Sequence, residues 1–586
     1  MKKSKLSIFA LILALTMGMT ACGKDKNGGK NPSGSGKVPG GESVQDGYIT
    51  ANPLQIEGLD PNYAPKKDRI KQKEGAIDVV LIFDGTEAGW QALADEYSRL
   101  HGGNVAVVLN KNYTAATYTD KANDEISNPN TDWDIVQGNV VNASLWESSF
   151  VNMNAAVYGK NPYAGNVTWT EVIEEDAYIT DKSGASDNCF IMNSINLNTG
   201  WFVNQIALKE AFAQGYVNKN GEQANPISWE DLIILCDTLK DLGYSAPLGI
   251  SVDEDSVKNS QFTWLLRVYG DYYYRNMYNA VSTNKDFRLD VTSTNPESDM
   301  NFNLSNNSLL NTILDTSSNI GGVDTYVGAT SARFKDFLAK IGQIRPYLNL
   351  NAGGLSFEDM RNMFRTQSNG KDSPQIMLDY VGSGLLFASA DQSKLQVDVF
   401  DYPTMYNSFV DPQTITRDVG GNGGYLSIVK HDAAQNALNL DFLKFVMSPY
   451  GQSIYYNALS KVAGFAPQGL TTVRNDLVKI PSQWAAFFDS SKVSFTGLSD
   501  SNKYIEWFIR GVNTDATASM AAFECWTKYL VGKGSDQLTL DNFASIWHGE
   551  VVAAFPRVAK TLNWNANCYK YPDLPDGEVD HNVEGV

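Results

Sequence analysis

The sequence predicts an α/β protein with an open, mainly parallel sheet, and two observations carry that prediction. First, apolar runs and helical patterns alternate. "AIDVVLIFDG" (Ala76–Gly85) is nearly continuous in apolar and β-branched residues, as a strand buried on both faces must be. "TEAGWQALADEYSRLHGG" follows with Trp90, Leu93, Tyr97 and Leu100 stepping by three and four. Second, two further strand patterns come next, "NVAVVLN" (Asn104–Asn110) and "WDIVQGN" (Trp133–Asn139). Strand–helix–strand alternation of this kind is the mark of an open α/β sheet.

Each later element has its own signal. Thr86 stands where an N-cap is expected, and Gly102 or Gly103 where the helix should stop. In "NPISWEDLIILCDTLKDLGY", Ser228 and Asp231 have capping-box spacing. Leu232, Leu235, Cys236, Leu239 and Leu242 form one apolar stripe, and Gly243 ends the helix. "APLGIS" (Ala246–Ser251) is a short strand. "QNALNLDFLKFVMSPYGQSIYYNA" predicts a helix broken at Ser448-Pro449, because proline cannot continue one. Leu540–Lys560 is a late amphipathic helix.

Composition narrows the function. The chain has 586 residues, enough for two or three domains, and 19% charged residues, ordinary for a globular protein. A formal charge of −19 disfavours nucleic acid, whose phosphates would be repelled. No CxxC and no HExxH occurs, so neither a metal nor another cofactor is expected. Beyond Cys22 there are four cysteines, Cys189, Cys236, Cys525 and Cys568. They either pair in one of three connectivities or stay buried thiols, and Cys236, on an apolar helix face, reads as a thiol. The four histidines, His101, His431, His548 and His581, read as solvated surface groups. No GxSxG elbow accompanies them, and no catalytic residue is identified. Distant carboxylate pairs are invisible in sequence, which keeps a glycoside hydrolase open as an alternative.

The N-terminus has the layout of an export signal: Lys2, Lys3 and Lys5, then an apolar run from Leu6 to Met19 too short to span a bilayer. "MTAC" (Met19–Cys22) resembles a bacterial lipobox. This implies cleavage after residue 21, diacylglycerol on the Cys22 thiol, and a chain anchored on the outer face of the cell membrane. Residues 22–47, rich in Gly, Ser, Lys and Asn, bury nothing and form a flexible tether. "GSGK" within it lacks the strand and the Ser/Thr of a phosphate loop. Residues 48–75 form a polar N-terminal extension.

Several stretches resemble the extracellular solute-binding proteins of carbohydrate ABC importers (family 1), the group that includes maltose-binding protein. They are "WDIVQGN"; "GWFVNQIALKEAFAQGY" (Gly200–Tyr216), with Val203 where tyrosine is usual and Asn204 kept; "PISWEDLIILCDTLKDLGYSAPLGIS"; "QFTWLLRVYGD"; and, most specific, "GGNGGYLSIVK" followed by "LDFLKFVMSPYGQ". "QIMLDYVGSGLLF" (Gln375–Phe387) fits a family element, but Gly384 replaces the usual tryptophan, so a common stacking platform is missing or supplied elsewhere.

The resemblance implies a two-lobed, periplasmic-binding-protein-like α/β fold with a ligand cleft between the lobes. It places lobe 1 at residues 76–196 plus about 424–490, and lobe 2 at 197–423 plus about 491–575, with an insertion at about 271–357. It implies a monomeric, non-enzymatic receptor that captures a sugar or oligosaccharide and delivers it to the ABC permease subunits. A receptor for another solute, such as a peptide, is the further alternative. Sugars need aromatic faces for their C–H surfaces and amide or carboxylate partners for their hydroxyls. The ligand-binding residues expected on loops at strand ends are Asp84, Thr86, Glu87, Gln137, Asn139, Asn196, Asn198, Asn259, Gln261, Trp264, Tyr380, Ser383, Gly421 and Asn422. With 26 Phe, 28 Tyr and 12 Trp, most aromatic rings must be structural, and Trp90 at helical spacing reads as core.

Overall fold

The computed structural model describes residues 76–81, 86–103, 105–174, 177–181, 188–274, 312–320, 323–324, 326–462, 469–474, 476–482, 487, 508–511 and 516–561. The signal, tether and extension, with Cys22, Asp84, Cys568 and His581, lie outside the described residues. The α/β class is as expected. The described residues within Met1–Leu197 and Gly421–Ala486 form one compact unit, and those within Asn198–Gly420 and Phe487–Val586 form another.

In the first unit, Ala76–Val80 runs parallel to Ala106–Asn110 on one side and to Ile135–Val136 on the other. Gly420–Ile428 pairs antiparallel with Ile135–Val136 and lies beside the long strand Asn188–Asn204. The third predicted strand shrinks to Ile135–Val136, because Gly138–Val140 turns into a short 3₁₀ segment. Helix Glu87–Leu100 buries Trp90, Leu93, Tyr97 and Leu100, the residues its periodicity named. It lies on helix Pro449–Leu459 so closely that a Cβ on Gly89 would sit 2.6 Å from the Tyr455 ring. The break at Ser448-Pro449 falls where predicted. Helix Ala433–Val446 ends, Pro449 opens the next, and the Gly451 N–H donates to Ser448 Oγ. Thr86 occupies the N-cap position but makes no capping bond. Its side chain pairs with the Tyr455 hydroxyl instead.

Two histidines correct the surface reading. His101 is buried, its Nε2 2.9 Å from the Tyr163 hydroxyl and 3.6 Å from Asp441 Oδ2. Asp441 Oδ2 also accepts from Tyr97 and Tyr163. His431 lies with its Nε2 3.2 Å from Asp134 Oδ1, its side chain only 7% exposed. The remaining lone pairs of the buried Asp134 accept the Asp78 N–H and the Asn439 amide. The hydrogen-bond partner of His101 Nε2 is the Tyr163 hydroxyl and that of His431 Nε2 is the Trp133 carbonyl at 3.0 Å, neighbours that spacing along the chain cannot reveal. His548, at 3.2 Å from the Tyr326 hydroxyl, is partly buried, and burial lowers its pKa.

In the second unit, the end of the long strand pairs antiparallel with Ile376–Tyr380, in register Ile376↔Val203 to Tyr380↔Thr199, and with Val397–Phe400. Leu248–Gly249 pairs parallel with Ile376–Tyr380. Helix Trp229–Asp241 carries the predicted capping box, the Asp231 N–H donating to Ser228 Oγ and the Ser228 N–H to Asp231 Oδ2. Helix Gln261–Tyr274 is buried along its whole length. Helices Ala516–Val531 and Leu540–Thr561 pack through Trp526 and Phe543, whose ring centroids are 4.8 Å apart. Cys189, Cys236 and Cys525 are free, buried thiols.

Candidate ligand-binding site

In the first unit, Glu87 opens its helix beside Thr86, both half-buried. Gln137 is buried, and its carbonyl accepts from the Tyr118 hydroxyl at 2.8 Å. Asn139 follows in the 3₁₀ turn, with a buried Oδ1 that has no hydrogen-bond partner among the described residues. Asn196 accepts from the Asn193 amide at 3.3 Å. Gly421 and Asn422 lie in the strand Gly420–Ile428. A cavity of about 20 Å³ beside Trp90, Ser194, Gln452 and Tyr455 has room for about one water, not for a sugar ring. Trp90 is core, as its spacing indicates.

In the second unit, four of the expected residues come together, and not as a ligand surface. Gln261 is fully buried, and its amide is used up: it accepts the Ser251 N–H at 2.7 Å and donates to the carbonyls of Gly249 and Leu378. Trp264, also fully buried, packs its ring against Phe357 at 5.3 Å and Tyr380 at 4.7 Å. Ser383 donates to Asp379 Oδ1, and the Arg361 guanidinium clasps both oxygens of the same carboxylate at 2.7 and 2.8 Å. The helix carrying Gln261 and Trp264 is apolar enough to be drawn wholly into the core, so position along the chain misplaced these two. Asn259 caps helix Glu254–Lys258 and donates to Asp255.

Asn198 has a different environment. It is 3% exposed, its amide N–H donates to Asp418 at 3.4 Å, and its Oδ1 has no partner among the described residues. Its neighbour Thr199 donates to the Val419 carbonyl and sits 2.9 Å from the Tyr402 hydroxyl. Burial first, then the carboxylates of Asp418 and Asp401, push the Tyr402 hydroxyl above the usual tyrosine range, so it stays a neutral phenol. Tyr402 meets Trp201 edge-on, with centroids 6.3 Å apart. Arg417, beside Asp418, makes a paired contact to both oxygens of Asp271 at 2.5 and 3.2 Å. Tyr402, Arg417 and Asp418 escaped the sequence reading. Arg417 and Asp418 had a signal in "TRDVGG", two charges set in an uncharged stretch just before the glycine run, and Tyr402 lies outside it.

Fold and site together define two α/β units between which the chain passes three times, with amides, carboxylates and aromatic rings concentrated next to the first passage. No family model matches the chain, and no curated protein matches it. Solved structures do match. The chain is similar to a family 1 extracellular solute-binding protein from Bifidobacterium longum subsp. infantis, at 13% identity over 82% of this chain and 100% of that one, TM-score 0.48. It is similar to the bacterial solute receptor AcbH, described as preferring β-D-galactopyranose, at 13% identity over 82% and 97%, TM-score 0.48. It is also similar to BlMnBP1, the binding protein of an ABC transporter from Bifidobacterium animalis subsp. lactis ATCC27673, in complex with mannobiose. There the identity is 14% over 84% and 95%, with TM-score 0.44.

Proposed function

We propose that this chain is the sugar-capturing component of an ABC importer: a receptor that binds a sugar or oligosaccharide without altering it and hands it to the permease subunits. The observation that carries this reading is the arrangement of the chain passages. They fall at 197/198, 420/421 and 486/487, so the strand Asn188–Asn204 and the glycine run Gly420–Gly424 both lie at passages between the units. Two of the stretches that carry the sequence resemblance fall there, "GWFVNQIALKEAFAQGY", which begins in the end of that strand, and "GGNGGYLSIVK"; the most specific one continues into "LDFLKFVMSPYGQ", which forms the broken helix pair. The polar residues beside the first passage suit a hydroxyl-rich ligand, because a buried amide or hydroxyl left unpaired costs about 1–3 kcal/mol. "MTAC" adds export and lipid anchoring through Cys22 to the proposal. Asp84, Thr86, Glu87, Gln137, Asn139, Asn196, Asn198, Gly421 and Asn422 remain the proposed ligand residues.

The test is a thermal-shift screen of purified protein against mono- and oligosaccharides, with product analysis of the same mixtures. A rise in melting temperature with intact sugar supports the receptor. Cleaved sugar would make it a hydrolase instead.

A further inference from the structure

We propose that the outer face of helix Leu540–Thr561 is a docking surface for the chain's own C-terminal segment, residues 562–569, which turns back after Thr561 and lies along Ile546–Pro556 as an extended strap.

The helix is apolar on two sides. Phe543, Trp547, Val551 and Phe555 are buried and form its core face in the second unit. The outer face, stepping by three and four, is Ser545, Ile546, Gly549, Val552, Ala553 and Pro556, all exposed and none charged. Ile546 is 45% and Val552 39% exposed. A helix that borders water carries polar and charged residues on its outer side, whereas one apolar on both sides is covered on both. No described residue comes within 4 Å of the place a Cβ on Gly549 would take, so the middle of this face is open. Pro556 adds a polar demand. It has no N–H, so the carbonyl of Val552, four residues earlier, loses its helical donor and is left for one from outside the helix.

The sequence that follows supplies a matching segment. Residues 562–586 lie outside the described residues and continue directly from the helix. They open with "LNWNANCY" (Leu562–Tyr569), which carries no charge. Leu562, Trp564, Ala566 and Cys568 alternate with Asn563, Asn565 and Asn567. A period of two gives an extended chain one apolar side and one amide side. The reach fits as well. From Thr561 back to Gly549 is about 18 Å along the helix, at about 1.5 Å per residue. An extended chain covers about 3.3 Å per residue, so about six residues past Thr561 bring Cys568 level with Gly549. The backbone N–H groups of such a strap can donate to the Val552 carbonyl. A second copy of the chain suits the face less well, because two molecules of formal charge −19 repel each other.

Disulfide trapping in the full-length chain tests the strap. Cys22→Ala leaves Cys568 as the one thiol besides the buried Cys189, Cys236 and Cys525. Two further substitutions are added separately: Gly549→Cys on the outer face, and Glu524→Cys at an exposed site on helix Ala516–Val531. Under mild oxidation, peptide mapping should find Cys568 joined to position 549 within one chain, about tenfold faster than to position 524, because docking raises the effective concentration at one site alone. Equal rates at the two sites, or no link at 549, overturn the proposal. A link between two chains overturns it in favour of a second copy. A melting cycle in the full-length chain gives a readout without new thiols. Val552→Gln, which favours the helix, and Trp564→Gln should each lower the melting temperature by a few degrees. The double variant should fall no further than the worse single one, because Val552 has no contact left to lose once the strap is off. A Val552→Gln melt equal to wild type, or strictly additive losses, would show that the face stays bare.

Discussion

Gly384 lies against the ring of Phe487: a Cβ built on the glycine would come within 2.3 Å of Phe487 Cδ1. The glycine that replaces the usual tryptophan is therefore not an empty place. A phenylalanine from a distant part of the chain occupies the space, and it is itself buried beside Phe202. Gly384→Ala should destabilise the protein by about 1–3 kcal/mol through overpacking. Phe487→Leu in the same chain should recover part of the loss. Urea denaturation of the two single variants and the double variant checks this, and strict additivity would show that the two residues do not share the space.

Trp264 behaves as core. With its ring wedged between Phe357 and Tyr380 and no solvent exposure, Trp264→Ala should cost about 3–5 kcal/mol of stability. The affinity of the surviving folded protein for any saccharide that stabilises wild type should stay near that of wild type. A melt of the unliganded variant beside a titration measures both. A large loss of affinity with an unchanged melt would return the residue to the ligand surface.

Asp78 should make stability depend on pH. Burial first, then the carboxylates of Asp134 and Asp132, raise its pKa from 3.8 to about 7. A carboxyl raised on folding contributes stability that is fully present below its unfolded pKa and is lost as pH rises through the folded one. Wild type should therefore lose stability between pH 3.8 and about 7 relative to Asp78→Asn, by a few kcal/mol at most. Chemical denaturation of both proteins across that range should show the gap widening with pH and levelling above 7. A constant gap would mean that Asp78 ionises in the fold as it does in the open chain.

Cys22 carries the proposed anchor. Cys22→Ala should abolish incorporation of labelled fatty acid and move the protein out of the detergent phase, or leave it uncut. Partitioning indistinguishable from wild type would remove the anchor from the account. The buried thiols Cys189 and Cys525, whose pKa values burial pushes up to about 12, serve as internal controls, since they should stay unlabelled in the native protein.

The sequence by itself determined the local elements. Trp90, Leu93, Tyr97 and Leu100 mark a helix face because one turn is 3.6 residues, and Ser228 with Asp231 marks its own helix start because capping acts over three residues. Ser448-Pro449 marked a break for an equally local reason. These signals lie within a few neighbours of the residues they govern. What the tertiary structure decided are the meetings of residues far apart in the chain. It sent Gln261 and Trp264, read as ligand contacts, into the core, because every side of their helix is covered. It set His101 beside Tyr163 and Asp441 and His431 beside the Trp133 carbonyl and Asp134. It also brought Asp418 to Asn198 across 220 positions, leaving one amide oxygen open. Hydrogen bonding and desolvation act on whatever lies adjacent in space, and for these pairs only folding makes them adjacent.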